Sequence, residues 1–138
     1  MKIKIFNKDV KLPTKSHNTD AGYDLYLPQD ITIKPFETIC IELGIGFAVD
    51  VGYTGIFVPR SSMAKKGLII TPALYDPSYL GCAHLIMTNC SLNTFEFKKD
   101  DRVCSFVVFP VKNLQFEVVD EFDIKSSRGD NGLGSTGR

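Results

Sequence analysis

Apolar and polar residues alternate with a period of two through most of this chain, and Val, Ile, Thr, Tyr and Phe crowd the alternating runs. That pattern turns one face of an extended strand inward and the other to water. It predicts strands over Lys2–Phe6, Tyr23–Leu27, Ile31–Ile33, Thr38–Leu43, Gly46–Val49, Thr54–Val58, Leu68–Thr71, Ala83–Thr88, Thr94–Phe97, Val103–Phe109 and Gln115–Val119. Turn signals such as Leu27-Pro28-Gln29-Asp30, Val51-Gly52, Asp76-Pro77 and Lys99-Asp100-Asp101 separate them. Their recurrence about every 8–12 residues suits an all-β sandwich or barrel, not βαβ units. One short helix is expected, with Ser61 or Ser62 as N-cap, Met63-Ala64-Lys65-Lys66 as its body and Gly67 as its stop. At 138 residues, with no internal repeat or linker, the chain fits one domain.

Charge excludes several partners. Sixteen basic residues balance sixteen acidic ones, so the basic excess of a general nucleic-acid or anionic-membrane binder is missing. Phosphate would have to be held by a few placed groups. The longest nearly apolar stretch, Val103 to Val111, is broken by Ser105 and Pro110 and is too short to span a bilayer. The first residues, MKIKIFNKDVKL, lack the apolar run of a signal peptide. The expectation is a cytoplasmic protein, or a host cytoplasmic or nuclear one if viral. Cys40, Cys82, Cys90 and Cys104 show no C-x-x-C spacing and read as reduced core or strand thiols. After Ile124 the composition shifts to KSSRGDNGLGSTGR, which buries too little apolar area to order itself. It reads either as a frayed end or as a segment whose backbone N–H groups wrap a ligand's phosphates.

Four places look unusual for a purely structural protein. Asp24 puts a carboxylate inside a strand-like run, where Asp is disfavoured; an exposed strand face would also explain it. Pro59-Arg60-Ser61-Ser62 leads into the short helix, as an ordinary cap with a surface Arg or as an anion site. Ala73-Leu74-Tyr75-Asp76-Pro77-Ser78-Tyr79-Leu80-Gly81 forms a tight turn. Asp76 there is either a turn former or a general base. In the tail, Arg128 precedes a Gly-x-x-Gly-x-Gly-Ser-Thr-Gly run.

Order and spacing join these signals. AGYDL, PRSSMAKKGL, ALYDPSYLG, FKKDDRVCSFVV and RGDNGLGSTG resemble the five ordered motifs of the trimeric deoxyuridine triphosphate nucleotidohydrolases. The resemblance runs from about Ala21 to Gly137. It implies a jelly-roll β-barrel or sandwich over residues 1–124, with residues 125–138 as a Gly-rich arm closing a neighbouring subunit's site. It implies a homotrimer in which the first, second and fourth motifs come from one chain, the third from another and the arm from the last. The implied reaction is dUTP plus water to dUMP and pyrophosphate, with no direct nucleic-acid or membrane partner.

The same resemblance assigns roles. Asp76 matches the carboxylate that activates water for attack on the α-phosphorus. Arg60, Ser61 and Ser62 match phosphate-binding residues, and Arg128, Leu133, Gly134 and Ser135 match the closing arm. Main-chain groups between Thr71 and His84, including those of Thr71, Ala73, Leu74 and Tyr75, would select uracil. Tyr79 matches the ring beneath the deoxyribose. Mg²⁺ would be held mainly by the triphosphate, with Asp24 reaching it through water, which suits an ion that dehydrates reluctantly. The sequence departs from the family at Leu133, in place of a stacking Phe, at Leu80, in place of a frequent Arg, at Ser105, in place of a frequent Gln, and at Thr71-Pro72-Ala73, where glycines are common. The related deoxycytidine triphosphate deaminases need a glutamate near Ile86, and no acid lies between Gly81 and Asn89.

Overall fold

The computed structural model describes residues 1–127 and 129. Among them are ten strands and one helix: β1 (Lys2–Ile5), β2 (Gly22–Tyr26), β3 (Ile31–Ile33), β4 (Thr38–Glu42), β5 (Ile45–Ala48), β6 (Tyr53–Pro59), α1 (Ser61–Lys65), β7 (Leu68–Ile70), β8 (His84–Asn89), β9 (Phe95–Phe97) and β10 (Arg102–Pro110). All pairings are antiparallel, in the orders β2-β10-β6, β4-β8-β7, β1-β5 and β3-β9. The expected strands through Phe109 are all present, most with ends shifted by a residue. Neighbours in these sheets are far apart in sequence, as the long-range pairing of a jelly roll requires.

Alternation does the sorting. β8 buries Leu85, Met87 and Asn89 and leaves His84 exposed. At the centre, Phe47 stacks on Phe106 with ring centroids 4.2 Å apart, and Phe57 and Tyr75 pack against the same Phe106 ring. A side chain at Gly55 would strike that ring; the Phe106 packing needs a bare backbone there. Asn89 is the polar exception in the core. Its Nδ2 donates to the carbonyls of Ile33 (3.0 Å) and Asn93 (2.7 Å), and its Oδ1 accepts from Ser91 N–H and Oγ. With all four bonds made, the buried amide costs little and ties the β8 end to its loop.

Two expectations fail. Gln115–Val119 forms no strand: β10 ends at Pro110, and residues 111–127 are exposed without regular structure. Alternation supplies a face, but a strand also needs an edge to pair with, and this segment finds none in its own chain. The helix is not capped by Ser61 or Ser62. Arg60 holds the cap position in extended conformation with no side-chain cap bond, because its N–H is still donated to Val103 O across the sheet. The helix therefore starts as soon as the strand releases the chain. Gly67 ends it as expected, at φ +92°. No helix among the described residues is long and apolar enough to cross a membrane.

Candidate active site

Asp24 sits in β2 opposite Ser105 of β10. The register slips between Arg102 and Cys104, and this bulge buries both Val103 and Cys104 in succession. Arg102 and Ser105, three apart, would point to opposite faces of a regular strand. With the extra residue both reach Asp24. Ser105 Oγ donates to Asp24 Oδ1 at 3.1 Å and Arg102 Nη1 to Oδ2 at 2.9 Å, while Arg60 Nε lies 3.6 Å from Oδ1. Arg60 also donates Nη1 to the Arg102 carbonyl at 3.4 Å, and Arg102 to Ser16 Oγ at 3.3 Å.

The Asp24 side chain is only 13% exposed, against 33% and 37% for the two arginines. Two guanidiniums answered by one carboxylate leave a surplus positive charge at the surface, with donors still facing outward. That is a seat for an anion. Ser61 and Ser62 stand beside it at the exposed start of α1. Next to the cluster, a cleft of about 410 Å³ is lined by Arg60, Met63, Lys66 and Arg102 together with Glu96, Phe97, Asp100 and Asp101. Beneath it Cys104 is buried; desolvation first, and the Asp24 charge second, push its thiol up to about 12, so it stays neutral.

The hairpin between β7 and β8 is anchored by Tyr75. This residue bridges Gly55 of β6, donating its N–H at 2.8 Å and accepting Gly55 N–H at 3.2 Å. Its carbonyl also accepts Thr54 Oγ1 at 3.3 Å. The buried phenol accepts Phe47 N–H at 2.9 Å and donates to Gly81 O at 3.2 Å; burial raises its pKa above that of a free tyrosine, making it a weaker acid. With its backbone engaged by β6 and its phenol by Phe47 and Gly81, Tyr75 anchors the hairpin. Thr71, Ala73 and Leu74 are exposed on the same arm, although the Thr71 N–H is taken by Ile86 O.

Asp76 follows the anchor directly and is exposed; its carbonyl accepts Tyr79 N–H at 3.0 Å, closing the turn. Tyr79 stands edge-on to Tyr75 with centroids 5.2 Å apart. Any side chain on Gly81 would collide with the Tyr79 ring. The Tyr79 hydroxyl donates to Cys82 O at 2.7 Å and lies 3.4 Å from His84 Nδ1.

The structure thus brings Asp24, Arg60, Ser61 and Ser62 to one end of the β2-β10-β6 sheet, and Thr71, Ala73, Leu74, Asp76, Tyr79 and His84 to one hairpin. The two groups stand apart. Tyr75 is three strand spacings from Asp24 across the sheet and three residues along it, roughly 17 Å in all. Arg128, Leu133, Gly134 and Ser135 lie outside the described residues. Arg102 lies within the fourth motif, but sequence spacing hides it: only the bulge shows that it shares a face with Ser105. Among the described residues, no group of three or more His, Cys, Asp or Glu is placed to hold a metal ion.

The family model for dUTPase matches residues 8–137. The chain belongs to the dUTPase family. Among curated relatives, the Saccharomyces cerevisiae deoxyuridine 5'-triphosphate nucleotidohydrolase is 39% identical over 139 residues, covering 99% of this chain and 94% of that one. The Nautilia profundicola protein of the same name is 35% identical over 141 residues, covering 100% and 99%. Of solved dUTPases, a mutant of the Staphylococcus bacteriophage 80alpha enzyme with dUpNHpp superposes with a TM-score of 0.93 at 24% identity, covering 99% and 98%. The expected jelly-roll fold is borne out by this likeness.

Proposed function

We propose that this dUTPase-family chain hydrolyses dUTP to dUMP and pyrophosphate, which limits uracil entry into DNA and supplies dUMP for dTMP synthesis. Asp76 takes a proton from the water that attacks the α-phosphorus; a placed general base is worth roughly 10²–10⁴ in rate. Arg60, Ser61 and Ser62, with Arg102 beside them, hold phosphate oxygens and meet the charge that grows on departing pyrophosphate. Asp24 fixes both guanidiniums. Main-chain groups of Thr71, Ala73 and Leu74 face uracil, and the Tyr79 ring lies under the deoxyribose. Arg128, Leu133, Gly134 and Ser135 close over the nucleotide, a role that rests on their match to the family alone.

The donor set suits Mg²⁺ carried by the nucleotide. Asp24 offers four lone-pair sites, of which Arg102 and Ser105 occupy two, leaving room for a metal-bound water. Bound there, the ion would neutralise phosphate charge. A solved dUTPase of phage phi11, 20% identical, is described with a structural Mg(II) ion.

The separation of Asp76 from the arginine cluster carries the oligomeric reading. A general base works within about 3 Å of its proton, or through one water, whereas Tyr75, next to Asp76, stands roughly 17 Å from Asp24 of its own chain by strand geometry. One complete site therefore takes the cluster of one chain and the hairpin of another, in a homotrimer. The uncovered Phe116, Val118 and Phe122 (94%, 98% and 87% exposed) support such an assembly. The test mixes two inactive variants, Asp76→Asn and Arg60→Ala, refolded together. A shared site restores part of the dUTPase activity, because some trimers recover an intact pair. A mixture as inactive as its parents rejects the shared site, and a wild type that releases no pyrophosphate from dUTP rejects the function.

A further inference from the structure

His84 begins β8 directly opposite Glu42 at the end of β4. Its ring stands between two partners: Nε2 is 3.4 Å from Glu42 Oε1, and Nδ1 is 3.4 Å from the Tyr79 hydroxyl. The Tyr79 proton is committed elsewhere, to Cys82 O at 2.7 Å, a much shorter bond than the one to the ring. The hydroxyl can then only accept from His84, so Nδ1 carries the hydrogen. The ring thus links the Glu42 carboxylate at Nε2 to the Tyr79 hydroxyl at Nδ1. Glu42 is the only acid within ion-pair range of the ring among the described residues.

From this geometry we infer that Glu42 is a positioning residue for sugar selection, acting through His84 to hold the Tyr79 ring in place. The inference rests on the proposed function, in which Tyr79 lies beneath the deoxyribose. The Tyr79 ring stands edge-on to Tyr75, and Gly81 lies against its hydroxyl end. Cys82 O and His84 hold the hydroxyl itself from two directions. A ring fixed so firmly leaves no room for a ribose 2′-hydroxyl; a ring free to swing makes room. Glu42 touches no part of the proposed substrate and is 69% exposed, so its replacement leaves the core intact.

The experiment is a double-mutant cycle read as the ratio of kcat/KM for dUTP over UTP. Glu42→Gln keeps the size of the side chain and removes its charge. It should lower the ratio by about three- to tenfold, the range of one hydrogen bond, with the gain for UTP in KM and the dUTP kcat held. Glu42→Asp should recover part of the ratio. In a Tyr79→Phe background, which lacks the hydroxyl, Glu42→Gln should have no further effect. An unchanged ratio in Glu42→Gln, or an equal loss in both backgrounds, overturns the inference. Calorimetric binding of dUMP against UMP repeats the cycle without turnover. If wild type binds both but hydrolyses neither triphosphate, the proposed function fails while the cycle still decides the role of Glu42.

Discussion

The arginine cluster and the hairpin contrast in how each is held. At the cluster, Asp24, Arg60, Arg102, Ser105 and Ser16 satisfy one another through side chains, so the seat is shaped before any nucleotide arrives. The hairpin is anchored from behind chiefly by Tyr75, through backbone and phenol, while Asp76, Leu74 and Leu80 stand exposed in front. Preorganised charge suits a site that must stabilise an ionic transition state. A rigid back with an open front suits one that receives another chain.

Replacing the exposed Asp76 carboxylate, which has no partner among the described residues, should hurt chemistry and spare the fold. Asp76→Asn is expected to reduce kcat for dUTP by roughly 10²–10⁴, with an unchanged urea midpoint; activity near wild type would place the base elsewhere. Truncation after Lys125 should come next. On the proposed reading, in which this arm covers the phosphates of a trimer's site, it should leave the circular dichroism and the assembly mass as they are and remove most kcat/KM, because the site stays wet. Asp24→Asn tests the cluster itself. Losing the charge that two guanidiniums share should cost about 2–4 kcal/mol in denaturant unfolding, along with weaker nucleotide binding. Tyr75→Phe reverses that logic at the hairpin: the buried Phe47 N–H loses its acceptor, for about 1–3 kcal/mol, with kcat reduced far less than in Asp76→Asn. The smallest effect concerns thiols. Cys40 and Cys90 are exposed and should react with a maleimide in the native protein, while Cys104, neutral and buried, stays unlabelled until unfolding.

Much of this was legible in the residues. Alternation located the strands from Lys2 to Phe109, most of which have a core face to fill (β1 is exposed throughout), and motif order located the Asp24, Arg60 and Asp76 regions. What failed was whatever depended on a neighbour. Gln115–Val119 has strand composition without a partner edge in the chain. Ser61 and Ser62 are good caps, but the sheet bond of Arg60 to Val103 sets where the helix begins. Arg102 was hidden because its orientation follows from a bulge, and a bulge depends on register, which period-two counting does not see. Tyr75 reads as a substrate contact from its place in the third motif; its anchoring bridge to Gly55 is visible only in the fold.

Gly46 and Gly81 meet backbone to backbone: a side chain on Gly46 would run into the Gly81 carbonyl, and one on Gly81 into the Tyr79 ring. Seen as a lineage exploring variants, this floor offers selection no side chain to enlarge, trim or recharge. Drift toward another nucleobase has to begin at the rim, where Thr71, Ala73, Leu74 and Leu80 are exposed and free to vary. The departures from the family at Thr71-Pro72-Ala73 and Leu80 lie on that rim, which is where such tinkering is least costly to the fold.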